Sequence, residues 1–318
     1  MIRKTSQRLA LILFCIYLAV LPGSTIVVAL DRVPRWGAWM GGALLLIQGA
    51  AALCWLLGRH GARGGLAALL VFLLAWAVEH AGVTTGMPFG RYHYTGALQP
   101  QLLGAVPLAI PCAWLMVAAG AWQLSSERWG AGAMGRWGEE QGSIHLLAHS
   151  PTRPLAHSRS VVLAAMLVLL LDLQIETVAT KINRYWIWRD GGPYYGVPTA
   201  NFMAWSLIGL TLALVMAIVL GRQGEEQKGR SAEAERHLTS GVLRITFHLS
   251  DRLPAYLYLL STLMFAIVNL AHGYTVAGVV GVFVLFVVFS RQRSRLTRRR
   301  GDAELRKQAD KETRKLNA

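Results

Sequence analysis

The sequence predicts an all-α protein that crosses a membrane about eight times. Three observations predict it. Hydrophobic residues make up 54% of the 318-residue chain and charged residues only 15%, a balance that ordinary soluble domains do not keep. The apolar residues come in blocks of about 20, the length that spans the hydrocarbon of a bilayer. The basic residues fall in alternate connections between those blocks, which fixes an orientation.

The first block, 9–30, follows Arg3, Lys4 and Arg8, as the core of a signal peptide would. No small-residue cleavage site follows, and the run continues past Pro22 to Leu30, so a retained helix is predicted. Further blocks lie at 36–57, 66–82, 102–122, 161–180 and 200–220. The last two, 254–272 and 274–290, are joined by almost nothing, so seven spans is the alternative count. Backbone polar groups must be satisfied internally in lipid, which makes each block a helix.

With the N-terminus cytoplasmic, segments 1–8, 58–65, 123–160, 221–253 and 291–318 hold 26 of the 32 Lys and Arg residues. The opposite connections hold Arg32, Arg35, Arg91, Lys181, Arg184 and Arg189. Both termini are then cytoplasmic in a multi-pass protein of the plasma membrane. The net charge of +15 reflects that topology, and no nucleic-acid partner is expected. The chain divides into one transmembrane domain, 1–290, with a motif-bearing core at 66–220, and a basic cytoplasmic tail, 291–318. The tail's "RQRSRLTRRR" suits anionic headgroups of the lipid bilayer.

The cytoplasmic connections are bland. Residues 125–160 lack an apolar period, 221–240 read as a solvated helix or linker, and 242–253 as a short amphipathic interfacial helix. Cys15, Cys54 and Cys112 lie far apart inside predicted helices and read as small packing residues.

The outer connections differ. "EHAGVTTGMPFGRYHYTG" (79–96) and "NRYWIWRDGGPYYGVPTANF" (183–202) are dense in aromatics, glycine and proline, and both fall on one face of the membrane. Each follows a helix with acids in its outer half: Glu79 on the third, Asp172 and Glu176 on the fifth. The latter pair lies four residues apart and shares a helical face. A faint repeat accompanies them. Val106-Pro107-x-Ala109-x-x-x-Ala113-Trp114 recurs as Val197-Pro198-x-Ala200-x-x-x-Ala204-Trp205, so helices three–four and five–six read as parallel repeats with a site between them.

An acid inside a membrane helix is costly and marks function by default. Asp172 has apolar neighbours on both sides, and a carboxyl taken out of water keeps a proton available. The alternative is a structural ion pair with Lys181 or Arg184. The aromatics Phe89, Tyr92, Tyr94, Tyr185, Trp186, Trp188, Tyr194 and Tyr195 form an interfacial belt or line a site where their faces stabilise a cation. His80, His93, Asn269 and His272 stand nearby, without the spacing of a metal site. No nucleotide or flavin fingerprint is present, so neither metal nor cofactor is expected. Buried acid, aromatic lining and membrane setting together suit acid-initiated chemistry on an isoprenoid alkene. The acid protonates a trisubstituted double bond, the aromatics shelter the tertiary cation, and water adds or a neighbouring alkene closes a ring.

Residues 79–114 and 172–205 resemble the CruF-type carotenoid hydratases. Those are integral membrane proteins that add water to the terminal double bond of an acyclic ψ end group. The likeness covers roughly 66–220, with weaker matches on either side. It implies a cofactor-independent hydro-lyase acting on γ-carotene, a lycopene-type carotenoid or a bacterioruberin precursor. Carotenoid and water are then the substrates, and other carotenoid-biosynthesis membrane enzymes are candidate partners. The family's motifs fall on Glu79, Gly86, Pro88, Phe89, Gly90, Tyr92 and Tyr94, on Asp172 and Glu176, and on Tyr194, Tyr195, Gly196, Val197, Pro198, Asn201, Phe202 and Trp205. On this reading Asp172 donates the proton, and Glu176 or Glu79 acts as base or orients water. Phe89, Tyr92, Tyr94, Trp188, Tyr194, Tyr195 and Trp205 form the pocket, and Asn201 orients the attacking water. The loop "GGPYYGVPTANF" folds inward as a lid whose tyrosines cap the chain end, or ties helices five and six as a rigid hairpin. The site is expected toward the outer half of the membrane. Cyclisation or isomerisation of the same substrates, and non-catalytic carotenoid binding, are the alternatives.

Overall fold

The computed structural model describes residues 2–37, 39–129, 153–236 and 249–290. The 242–253 helix lies largely outside them, as do the tail, 291–318, and most of the connection between the fourth and fifth helices. Among the described residues, eight helices of ten residues or more form the body. They are α1 (Ile2–Ala29), α2 (Met40–His60), α3 (Ala62–Thr85), α4 (Ala109–Trp129), α5 (Arg153–Thr177), α6 (Thr199–Arg236), α7 (Leu253–Ala271) and α8 (Thr275–Ser290). Six of them, α1, α2, α3, α5, α6 and α7, are long and apolar enough to cross a membrane. The protein is thus an all-α polytopic membrane protein. Of the other two, α8 is shorter, and α4 carries Gln123, Ser125 and Ser126 in its second half.

Two boundaries depart from the expected ones for physical reasons. The fourth helix starts at Ala109 rather than near 102, because Gln101–Leu102 (β2) and Val106–Pro107 (β3) pair into a small hairpin. Leu103 and Gly104 turn that hairpin with φ of 50° and 69°. Hydropathy cannot see such a turn, since its residues are as apolar as the helix that follows. The fifth helix runs on through a π-helical turn, Val178–Ile182, a feature that often marks functional sites.

α4 lies at the centre, packed on α2, α3, α5, α6 and α7. α3 packs on α6 as α5 packs on α4, the cross-pairing expected of a two-fold related pair of helical hairpins. Trp114 and Trp205, which close the two copies of the sequence repeat, stack on each other with ring centroids 3.8 Å apart and planes at 19°. Close approach between helices depends on small residues. Gly49 on α2 lies against the Cys112 backbone, and Gly120 on α4 lies against the Pro254 carbonyl.

A polar seam joins α5 to α7. Thr177 donates to Asn269, and Asn269 Nδ2 donates to the Gln174 carbonyl at 2.9 Å. Hydrogen bonds between helices replace those that water cannot supply in lipid. The seam fixes Asn269 at the level of Glu176, next in sequence to Thr177.

Candidate active site

The two aromatic loops meet. Tyr92–Tyr94 (β1) pairs antiparallel with Trp186–Trp188 (β4), with Tyr92 opposite Trp188 and Tyr94 opposite Trp186. Alternation along a strand sends residues i and i+2 to one face. Tyr92, Tyr94, Trp186 and Trp188 therefore point inward together, while Ile187 and His93 are exposed. The ribbon closes over the ends of α3 and α5.

Its four polar tips are hydrogen-bond donors aimed at acids. Tyr92 Oη and Tyr94 Oη donate to Glu79 Oε2 at 2.6 and 2.7 Å. Trp114 Nε1, from α4, donates to Glu79 Oε1 at 2.9 Å. Trp188 Nε1 donates to Glu176 Oε2 at 2.9 Å, with Trp186 Nε1 farther off at 3.4 Å. One strand thus holds Glu79 and the other holds Glu176. Burial, with the Glu79 carboxyl beside them, pushes the Tyr92 and Tyr94 phenols well above their ordinary range. Both stay protonated and keep donating.

Asn201 joins the second acid to the third. Its Nδ2 donates to Asp172 Oδ2 at 3.2 Å and to Glu176 Oε1 at 3.1 Å. All three side chains are buried. Asp172 Oδ1 has no hydrogen-bond partner, so one carboxyl oxygen stands unpaired in the interior. The ion pairs found among the described residues are Arg59–Asp251 and Arg91–Asp190; neither involves the three acids. The structural pairing of Glu176 with Lys181 or Arg184 is replaced by the amide and the two indoles.

A cavity of about 730 Å³ opens beneath the ribbon. Glu79, Glu176 and Asn201 line it, with Phe89, Tyr92, Tyr94, Trp114, Trp186, Trp188 and Trp205. Most of the remaining wall is apolar and comes from α1, α2, α4 and α7. Asp172 is not on the wall; it stands behind Asn201, one helical turn from Glu176. The structure therefore brings together Glu79, Glu176, Asn201, Phe89, Tyr92, Tyr94, Trp188 and Trp205. It sets Asp172 one layer back.

Tyr194 and Tyr195 lie elsewhere. Tyr194 Oη donates to the Leu173 carbonyl at 2.7 Å, and Tyr195 Oη accepts from the Val276 N–H at 3.2 Å. Neither is part of the cavity wall. Of the two readings of "GGPYYGVPTANF", lid or rigid hairpin, these bonds match the rigid hairpin, and the β1–β4 ribbon is the cover. The hairpin needs its glycines. A Cβ on Gly192 would collide with the Val197 carbonyl, and Gly196 takes φ of +78°, a conformation cheap only for glycine. Of the other residues considered, His272 Nε2 bonds the Val28 carbonyl at 2.9 Å and His80 packs on Trp76, away from the acids.

Sequence reasoning missed three features. Trp114 entered it only as part of the repeat, yet it holds Glu79. Tyr17, Gln48 and Ser261 form a polar cluster on the cavity wall, with Gln48 Nε2 donating to Ser261 Oγ at 2.9 Å. Single polar residues on three separated helices leave no motif. Third, Arg91 clamps the ribbon to Asp190. Its backbone N–H donates to Oδ2 at 2.6 Å, and Nε and Nη2 reach Oδ1 at 3.0 and 2.7 Å.

Those bonds from Arg91 hold the Asp190 carboxyl below its ordinary range. A depressed carboxyl contributes above its unfolded value and loses that contribution as pH falls through the folded one. The clamp is therefore intact at neutral pH and fails only in acid. An exposed ion pair is worth little by itself, but this one pins a cover. Asp190→Asn is expected to raise KM by about 2–5-fold, with the product unchanged. Steady-state kinetics in reconstituted membranes reads both.

A family model described as carotenoid biosynthesis protein matches residues 40–288. A bisanhydrobacterioruberin hydratase from Haloarcula japonica is 29% identical over 168 residues, 53% of this chain and 50% of that protein. The chain thus spans about half the length of the curated relative it matches. No solved structure matches.

Proposed function

The chain belongs to the carotenoid biosynthesis protein family, and on that premise we propose that it is a hydratase of acyclic carotenoid ends. The observation that carries the proposal is the wall of the cavity. Two buried carboxyls, each held by aromatic N–H or O–H donors, face an apolar space walled by eleven aromatic side chains. Such a space accepts a hydrocarbon end and presents it with an acid and with π faces.

The reaction follows from those parts. Glu176, on the wall, gives its proton to the terminal carbon pair of the end group. The alkene π electrons form the new C–H bond and leave a tertiary cation at the adjacent carbon. Tyr92, Trp188, Trp114 and Trp205 offer π faces to that cation, a contact worth about 1–2 kcal/mol per ring when desolvated. Water forms the C–O bond, and its extra proton returns to the Glu176 carboxylate, leaving a tertiary alcohol and the starting enzyme. Asp172, one turn behind, shares the Asn201 amide with Glu176 and so holds that amide in place beside the proton donor. Glu79 accepts three donors, fixes Tyr92, Tyr94 and Trp114 around the end group, and adds negative potential toward the cation.

Hydration, rather than ring closure, is favoured by the mouth of the cavity. Asp31, Pro34, Trp36 and Gly37, in the connection between α1 and α2, line it beside the ribbon. Under the positive-inside reading this end faces outward from the plasma membrane, so water enters there. The substrate end is of the γ-carotene, lycopene or bacterioruberin-precursor type.

Isotope incorporation tests the proposal. Reconstituted protein given lycopene in water enriched in oxygen-18 and deuterium should yield an alcohol with one heavy oxygen and one solvent deuteron on the neighbouring carbon. A rearranged product with no heavy oxygen would replace hydration by cyclisation or isomerisation. Bound but unaltered carotenoid would leave only a binding role.

A further inference from the structure

We propose that the carotenoid enters sideways from the bilayer, through a slot along α1 at Ala19 and Gly23. Only one end of the chain is then taken into the cavity, and the rest lies in lipid against α1. The inference rests on reading the cavity as a carotenoid site.

The face geometry of α1 carries it. Val20, Ser24 and Val27 line the cavity and share a helical face at i, i+4 and i+7. Pro22 and Ile26 lie on the exposed face, Ile26 with 57% of its surface open. Ala19 and Gly23 fall between the two. They line the cavity and are also exposed, although α1 is a membrane-length helix over Arg3–Ala29. A wall residue exposed at mid-helix marks a lateral opening. Gly23 has nothing within 4 Å of where a Cβ would stand, so the gap is real space and not a packed contact.

Volume points the same way. An apolar cavity of about 150 Å³ takes one benzene. About 730 Å³ then takes roughly five such rings, fewer carbons than a carotenoid has. The rest of the molecule must lie outside, and exposed wall residues fall at two places. One, at Asp31–Gly37, leads toward water, and the other, at Ala19 and Gly23, leads toward lipid. A hydrocarbon chain belongs in the second, which leaves the first to water. Selection thus falls on the end group, and the two ends of a symmetric substrate react in separate encounters.

The test uses full-length protein made in lycopene-producing cells, as wild type and as Gly23→Trp, Ala19→Trp and Ile26→Trp. Carotenoid absorbance per mole of purified protein and hydrated product in the membranes are both measured. Gly23→Trp fills open space and Ile26→Trp lies on the lipid face of the same turn, so each is expected to fold. Gly23→Trp and Ala19→Trp should retain at most about one fifth of the wild-type lycopene, a loss of about 1 kcal/mol in binding. Ile26→Trp should retain all of it. Wild-type retention in both slot variants, or a wild-type protein that retains no lycopene, would overturn the slot. Slot-sensitive retention with no hydrated product in any sample would uphold the slot and remove the hydratase reading.

Discussion

Glu176→Gln is expected to stop water addition, lowering the rate at least about 100-fold, while the protein stays folded in the membrane. The magnitude is that of a positioned general acid, about 10²–10⁴-fold. Glutamine keeps the shape and one of the two acceptors, its Oε1 serving Trp188 Nε1 or Asn201 Nδ2, while the proton is gone. Asp172→Asn is the informative companion. It removes the acid behind Asn201 but leaves the one on the cavity wall, so a smaller loss is expected. Equal losses in both variants would make the pair a single titrating unit, and activity surviving in Glu176→Gln would move the proton donor elsewhere.

Asn201→Leu should give the second large effect, on stability as well as rate. One amide group satisfies two buried carboxyls, at 3.2 and 3.1 Å. Leucine is of similar size but donates nothing. Each buried acceptor left without its donor costs about 1–3 kcal/mol, so about 2–6 kcal/mol is expected for the two. Thermal unfolding in detergent would show it as a marked fall in Tm, accompanied by loss of product. Leucine at Asn201 with wild-type Tm would mean that water or local movement replaces the amide.

Glu176 was legible in the sequence for a physical reason, although there Asp172 was the expected proton donor; Asn201 was picked out through the family resemblance. An acid in an apolar run cannot be there for solubility, so Asp172, Glu176 and Glu79 announce themselves. Their spacing places Asp172 and Glu176 on one face without any tertiary information. The cover was less legible. The run "GGPYYGVP" attracts notice by its glycines and tyrosines, yet its composition suits a tight brace as well as a lid. What decides is the pairing of Tyr92 with Trp188, a long-range contact that local sequence does not encode. Hydropathy found eight helices but could not place the start of α4, because the β2–β3 hairpin is built from equally apolar residues. The cluster of Tyr17, Gln48 and Ser261 was illegible for another reason. Each is a lone polar residue in a long apolar helix, and only their meeting gives them meaning.

Trp114 and Trp205 lie between these cases. Their repeat was visible in sequence, and their stacking at 3.8 Å gives it a geometric counterpart. The cross-packing of α3 on α6 and α5 on α4 sets the two loops opposite each other, so that strands from separate hairpins make one ribbon. That ribbon brings Glu79 and Glu176 to one cavity with separate sets of donors.

Acid-driven water addition by Glu176 to a carotenoid end is open to direct observation. The most direct measurement is mass spectrometry of carotenoids from cells making lycopene and γ-carotene, carrying either the wild-type protein or Glu176→Gln at equal membrane levels. Wild-type protein should give a carotenoid heavier by one water on an acyclic end, and the variant unaltered carotenoid. The same hydrated product from both, or no hydrated product from the wild type, would contradict it.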